Sequence, residues 1–186
     1  MGGGTEGAQK AVLLGLTHYA AALRRALDRG CLLLFTGNAM ETLGRSVTDA
    51  QGHVWGGLGL ADFTTVETDK RFPGDVIAEP VLWSAPAVGF MNKCSTTAGI
   101  TTPLFSSLSL GFGNEADRGP EGYADGGILA THLTGPVLVK NPDFTDLVIR
   151  RLFFAKGWPL PEKLPVLPHE REAYAVTLRE LQARLK

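Results

Sequence analysis

Cysteine is scarce in this chain: Cys31 and Cys94 are the only two, and no C-x-x-C spacing links them. That excludes a disulfide framework and a cysteine-built zinc site. Long apolar runs are missing as well. The stretch Ala11–Leu16 is interrupted by Gly15 and followed by Thr17 and His18, and nothing approaches the roughly 18–20 apolar residues a membrane span needs. An excess of one charge is lacking too. Eighteen basic and nineteen acidic side chains leave a formal charge of −1, so no basic field exists to hold nucleic acid or an anionic membrane surface. The opening residues, Met1-Gly2-Gly3-Gly4-Thr5-Glu6, carry no basic-then-apolar leader pattern, and the cytoplasm is the expected compartment. What is there, 186 residues with 44% hydrophobic and 20% charged side chains, suits one water-soluble domain with a core of its own.

The hydrophobic spacing predicts a long amphipathic helix over Glu6–Arg29, with Val12, Leu16, Ala20, Leu23 and Leu27 on one side. Thr5 is placed to cap its start and Gly30 to end it in the left-handed conformation. Cys31–Thr36 is apolar at nearly every position, the pattern of a strand covered on both faces in a parallel sheet. Directly after it, Gly37-Asn38-Ala39-Met40-Glu41-Thr42-Leu43-Gly44 reads as a tight turn entering a short helix. Asn38 and Glu41 have the spacing of a capping box there. Strand, turn and helix together make an elbow.

Beyond Asp49 the character changes. Asp49–His53 is turn-rich and predicts a hairpin. Short β-branched and aromatic runs predict strands at Ala61–Thr68, Gly74–Glu79, Val81–Phe90, Ser107–Gly113 and Gly127–Leu133, with a polar loop over Asn114–Gly122. A second helix is predicted over Asp143–Lys156, with Phe144, Leu147, Val148 and Leu152 inward. The organisation expected is a domain over residues 1–157, a proline-rich linker over 158–168 and a charged helix over 169–186 with Tyr174, Leu178 and Leu181 as its apolar stripe. The fold class expected is α/β, three-layered, with a mixed and mostly parallel sheet.

Enzymes that attack a carbonyl place serine or cysteine at an elbow tip because the bend exposes the side chain. The next N–H and the helix N-terminus then stabilise the oxyanion. Here the tip carries Gly37, which has no attacking atom. Gly2-Gly3-Gly4 offers backbone N–H groups for an anion-binding nest, although a glycine cluster at a terminus is also read simply as flexible chain.

These pieces, in this order, resemble the class I glutamine amidotransferases. The chain is most similar within that class to the cobyric acid synthase-like branch, in particular to amidotransferase subunits of lipid II isoglutaminyl synthases. That branch carries a Cys-Gly-Gly-Tyr-Gln-x-Leu-Gly elbow. Aligned on Leu43-Gly44, its cysteine falls on Gly37, its glycines on Asn38 and Ala39, and its glutamine on Glu41. Gly89-Phe90-Met91-Asn92-Lys93 and Gly111-Phe112-Gly113-Asn114 resemble two further family segments. Leu133-Thr134-Gly135-Pro136-Val137-Leu138-Val139-Lys140-Asn141-Pro142 resembles a third, and places the catalytic histidine on Thr134. The resemblance spans about residues 2 to 157. It implies a flavodoxin-like or Rossmann-like domain that is short at its front and leaves a sheet edge open. It also implies a Mur-ligase-like synthetase as partner and amidation of the peptidoglycan precursor lipid II.

Glutamine hydrolysis needs a thiolate to form the acyl-enzyme and an imidazole to move protons. Gly37 and Thr134 supply neither, so the chain is expected to be degenerate as a glutaminase. It is expected to keep a vestigial glutamine pocket around Gly3, Gly4, Asn38, Glu41 and Asn92, with no cofactor and no metal. Two other readings stand beside this one: a binding or scaffolding protein, and a hydrolase or transferase that uses relocated groups. Cys31 is expected in the core, and Cys94 in a polar loop beside Lys93. His132, two residues before Thr134, is read either as a packed side chain or as one pointing into the same pocket. His18 is expected to be structural and His53 and His169 solvated. Asp62, Glu67, Asp69, Asp75 and Glu79 show no metal-ligand spacing.

Overall fold

The computed structural model describes residues 1–162, 164 and 168–185. Helix α1 (Glu6–Leu16) and helix α2 (Ala20–Asp28) are joined by a 3₁₀ turn over Thr17–Tyr19. The single helix expected over Glu6–Arg29 is therefore two. The Thr17 hydroxyl donates back to the Leu14 carbonyl at 3.0 Å, a contact that bends helices. Thr5 caps α1 by accepting the Ala8 N–H at 3.2 Å, and Gly30 takes a left-handed φ of +83°.

Strand β1 (Leu33–Thr36) runs into a 3₁₀ elbow over Gly37–Leu43. Strands β2 (Ser46–Thr48) and β3 (Val54–Gly56) follow, then β4 (Thr64–Pro80), β5 (Ala87–Ala98), β6 (Phe105–Leu110), β7 (Tyr123–Asp125) and β8 (Ile128–Thr131). Helices α3 (Val137–Lys140), α4 (Pro142–Lys156) and α5 (Pro168–Ala183) complete the order. The strands form a three-stranded sheet, β1-β8-β7, and a five-stranded one, β3-β2-β4-β5 with β6 on β4. The architecture is the mixed α/β one expected, but its parallel share is smaller. Among the described residues only β1–β8 and β2–β4 pair in parallel, and the other strand pairs are antiparallel. Length explains this: β4 and β5 are long enough to form a hairpin, and a hairpin needs no crossover helix.

The small sheet is covered on both faces, and alternation along its strands shows it. Leu33, Phe35, Ile128 and Ala130 face a cluster containing Leu13, Leu16, Leu23 and Leu27 of α1 and α2. Leu34 and Leu129 face the opposite cluster, with Phe144 and Val148 of α4. At the outer edge of β1, the Met1 ammonium donates to the Leu34 carbonyl at 2.6 Å and the Thr36 N–H donates to the Met1 carbonyl at 2.9 Å. The edge expected to lie open thus carries a backbone partner along these residues.

Several strand boundaries differ from expectation. The segments Ala61–Thr68 and Gly74–Glu79 are parts of one strand, β4, because its register shifts between Glu67 and Phe72 instead of ending there. Val81–Pro86 forms bends, so the strand expected over Val81–Phe90 begins only at Ala87. The strand expected over Ser107–Gly113 lies at Phe105–Leu110, and Leu152 of α4 is exposed. The hairpin at Asp49–His53 joins β2 to β3. The linker expected over 158–168 falls partly on residues outside those described. Beyond it, Leu181 of α5 packs on Ile77 and Val88, and the Tyr174 hydroxyl donates to the Pro86 carbonyl at 2.7 Å.

Two family-like segments have structural reasons to be present. Asn141 ties α4 to β5: its side chain accepts from Val88 N at 2.7 Å and donates to Val88 O and Val137 O at 2.9 and 2.8 Å. Gly44, which closes the elbow, lies against Phe63. A Cβ there would meet that ring and carbonyl at 2.6 Å. Gly44→Ala is accordingly expected to destabilise by about 1–3 kcal/mol, read as a lower urea midpoint with an unchanged m-value.

Candidate functional site

The elbow stands at the C-terminal ends of parallel strands β1 and β8, the end at which open α/β sheets place their ligands. A cavity of about 580 Å³ opens there. The sequence brings its walls from five places. Gly2–Glu6 enters before and at the first turn of α1, and Thr36–Asn38 with Glu41 forms the elbow. Arg71 comes from β4, Asn92–Cys94 from β5, and Thr134–Gly135 from the turn after β8. Of the residues expected around a pocket, Gly3, Gly4, Asn38, Glu41 and Asn92 lie on these walls together with Gly37 and Thr134.

The tip has the geometry of an elbow without its chemistry. Gly37 adopts φ +63°, a conformation that costs an L-residue about 1–2 kcal/mol. Its N–H is held by the Leu133 carbonyl at 3.0 Å. A Cβ built on it would sit 3.9 Å from the Thr134 Cγ2 methyl. The Thr134 hydroxyl turns away, donating to the Phe90 carbonyl at 2.9 Å. At the two positions expected to correspond to a nucleophile and a base, the structure presents a bare backbone and a methyl group.

The neighbouring cysteines do not replace the missing nucleophile. Cys31 is exposed, contrary to the core position expected for it, because β1 begins only at Leu33. Cys94 lies in β5 and not in a loop. The alternation of that strand turns Phe90 and Asn92 outward and leaves Cys94 part-buried, and Cys94 contributes to the cavity wall. Its thiol donates to Glu6 Oε1 at 3.2 Å. Burial and that carboxylate push its pKa up to about 12, so at neutral pH it is a thiol and a poor nucleophile.

His132 does not reach the cavity. Its side chain is fully buried, with Nδ1 3.0 Å from Glu121 Oε1 and Nε2 3.5 Å from Glu41 Oε1. Of the two readings of this residue, the packed one holds. Burial works against a charged ring, but hydrogen bonding to Glu121 and Glu41 outweighs it and raises the histidine pKa above its ordinary value. Burial likewise disfavours both carboxylates, and His132 outweighs it, lowering each below the usual range. Glu41 is therefore no capping-box partner of Asn38. It accepts from Ser95 Oγ at 2.5 Å and Gln9 Nε2 at 2.7 Å, fastening the elbow to β5 and α1. Beside this cluster, Lys93 is buried and donates to the Gly113 and Asn114 carbonyls; burial lowers its pKa against the pull of Glu121 and Glu41.

At the cavity mouth, Arg71 Nη2 pairs with Glu6 Oε1 at 2.6 Å and Nη1 lies 3.4 Å from Asn92 Oδ1. Sequence reading missed this pair. Arg71 and Glu6 stand 65 positions apart, and no local pattern marks either. Among the described residues no cluster of histidine, cysteine, aspartate and glutamate is arranged to hold a metal ion, and no helix is long and apolar enough to cross a membrane.

No protein-family model matches the chain. Across 166 residues it is 30% identical to the GatD subunit of lipid II isoglutaminyl synthase (glutamine-hydrolyzing) from Staphylococcus aureus strain N315. The match covers 88% of this chain and 66% of that protein.

Proposed function

From a chain homologous to the GatD subunit of a lipid II isoglutaminyl synthase, we propose a glutamine amidotransferase-like subunit that binds a glutamine-shaped ligand and does not hydrolyse it. The observation that carries this reading is Gly37 at the left-handed tip, beside the methyl of Thr134 on the wall of the cavity. Acyl transfer needs a bond-forming atom at the tip and a proton acceptor beside it. Neither is present, and the thiol pKa of Cys94 argues against a substitute. The hydrolase reading with relocated groups loses support for the same reason: His132 is buried outside the cavity lining, and Glu41, which does line it, is held by His132, Ser95 and Gln9.

The mouth fits an α-amino acid. Arg71 offers a guanidinium to a carboxylate and Glu6 a carboxylate to an ammonium, and a ligand carrying both charges would separate the pair they now form. Arg71→Ala is expected to weaken glutamine binding roughly 10- to 100-fold, the range for loss of a charge-assisted contact of about 1.5–3 kcal/mol. Calorimetric titration measures it. Glutamine heats absent from the wild-type protein, or equal in the variant, would count against the assignment.

A Mur-ligase-like synthetase as partner, a role in cell-wall precursor amidation and a cytoplasmic location belong to the same proposal. Co-expression tests the partner. A stoichiometric complex on size exclusion is the expected result, and a lone chain beside a free synthetase would remove the assembly from the proposal and favour an independent binding protein.

A further inference from the structure

Asn38 stands where the family's elbow has a glycine, and its side chain has a definite place. Its Oδ1 accepts the Gly4 N–H at 2.9 Å. The approach is close: a Cβ on Gly3 would lie 3.0 Å from Asn38 Oδ1, 3.1 Å from Gly37 Cα and 3.2 Å from Asn38 N. The glycine loop and the elbow therefore touch through Asn38, and a Cβ at position 3 would force its neighbours to give by a few tenths of an ångström. Asn38 also lines two spaces. It borders the 580 Å³ cavity and a second one of about 200 Å³ shared with Met1, Ala8, Gln9 and Val12, and Gly2, Gly3 and Gly4 border both. The Asn38–Gly4 contact thus joins two residues that line both cavities.

An oxygen bound at an elbow tip takes its hydrogen bonds from backbone N–H groups of the loop and the turn. The Asn38 amide oxygen already takes one of them. We propose that Asn38 is a built-in latch: its side-chain carbonyl fills the oxygen-binding position of the elbow. This inference rests on reading the cavity as a vestigial substrate pocket. It adds an obstacle that is independent of the missing sulfur and imidazole. Restoring those two groups alone would leave the oxygen-binding position occupied, and any ligand whose oxygen approaches Gly4 must first displace an internal amide.

Backbone amide exchange and an inorganic anion test the latch separately from glutamine. In ¹⁵N-labelled wild-type protein the Gly4 amide is expected to exchange at least 10-fold more slowly than an unprotected amide. In Asn38→Gly and Asn38→Ala that protection is lost, while the amides of β8 keep theirs and report an intact fold. Titrated sulfate is expected to shift the Gly3 and Gly4 resonances in both variants and to leave them unmoved in the wild type. Unprotected exchange of Gly4 in the wild type would overturn the latch, as would protection that survives both substitutions. Sulfate responses that are equal in all three proteins, including no response in any, would overturn it too. Glutamine failing to bind the wild-type protein beside the expected exchange results would count against the pocket reading and leave the latch standing.

Discussion

His132→Leu is expected to destabilise the protein by about 3–5 kcal/mol, because it leaves two buried carboxylates without their cation. Glu41 and Glu121 face the ring from opposite sides, and all three side chains are at most 2% exposed. Each carboxylate has further donors, Ser95 and Gln9 on Glu41, Thr131 and the His132 N–H on Glu121, but none of those carries a charge. The loss is expected as a large fall in urea midpoint. His132→Gln, which keeps a donor without the charge, should fall between.

The same cluster sets a pH window. The carboxylate pKa values are lowered on folding, so their contribution is present above the ordinary 4.5 and is lost as pH falls through the folded values. The imidazole pKa is raised, so its contribution is full below the ordinary 6.5 and is lost as pH rises through the folded value. The stability difference between wild type and His132→Leu is therefore expected to be largest between those limits and to shrink on both sides. A difference that does not vary with pH would mean that the ring packs as a neutral group.

The second large effect is a gain. In a background with both native cysteines replaced by serine and Asn38 by glycine, Gly37→Cys with Thr134→His is expected to be captured stoichiometrically by a glutamine-shaped chloroketone. The parent background should capture none. The elbow geometry supports this, since a Cβ at residue 37 would lie 3.9 Å from the Thr134 methyl. Two penalties come with it: the left-handed backbone costs about 1–2 kcal/mol for a non-glycine residue, and the new Cβ lies 3.1 Å from Gly3 Cα. Covalent capture by mass spectrometry, competed by free glutamine, checks the expectation. Labelling that glutamine fails to slow would place the new thiol outside a binding pocket.

Much of this site was legible because its pieces are local. Residues Leu32–Phe35 form an unbroken apolar run and Gly37 follows after Thr36, so a strand ending in a glycine tip can be read directly. Thr134 was expected beside the elbow from its place next to Gly135-Pro136 and Lys140-Asn141-Pro142, and it lines the cavity there. Glu41 was misread for the opposite reason. Its spacing to Asn38 is that of a capping box, but its partners Gln9 and Ser95 lie 32 and 54 positions away, and burial with His132 overrides a local turn preference. Cys94 sits among Lys93, Ser95, Thr96 and Thr97, polar residues that suggest a loop. In β5 these alternate, with Lys93, Ser95 and Thr97 buried in satisfied hydrogen bonds. Periodicity counts polarity and cannot see a buried polar network. The join between Ala61–Thr68 and Gly74–Glu79 was hidden by Pro73 and Gly74, which read as a break and lie instead in a continuous strand beside its bulge.

Glutamate release from glutamine by the purified wild-type chain, alone and co-expressed with a Mur-ligase-like synthetase, measures the central claim. The expected result is a rate indistinguishable from a protein-free blank in both cases. Release above that blank, abolished by Cys94→Ser or by His132→Gln at a pH where the variant stays folded, would show that a sulfur or an imidazole reaches the bond after all.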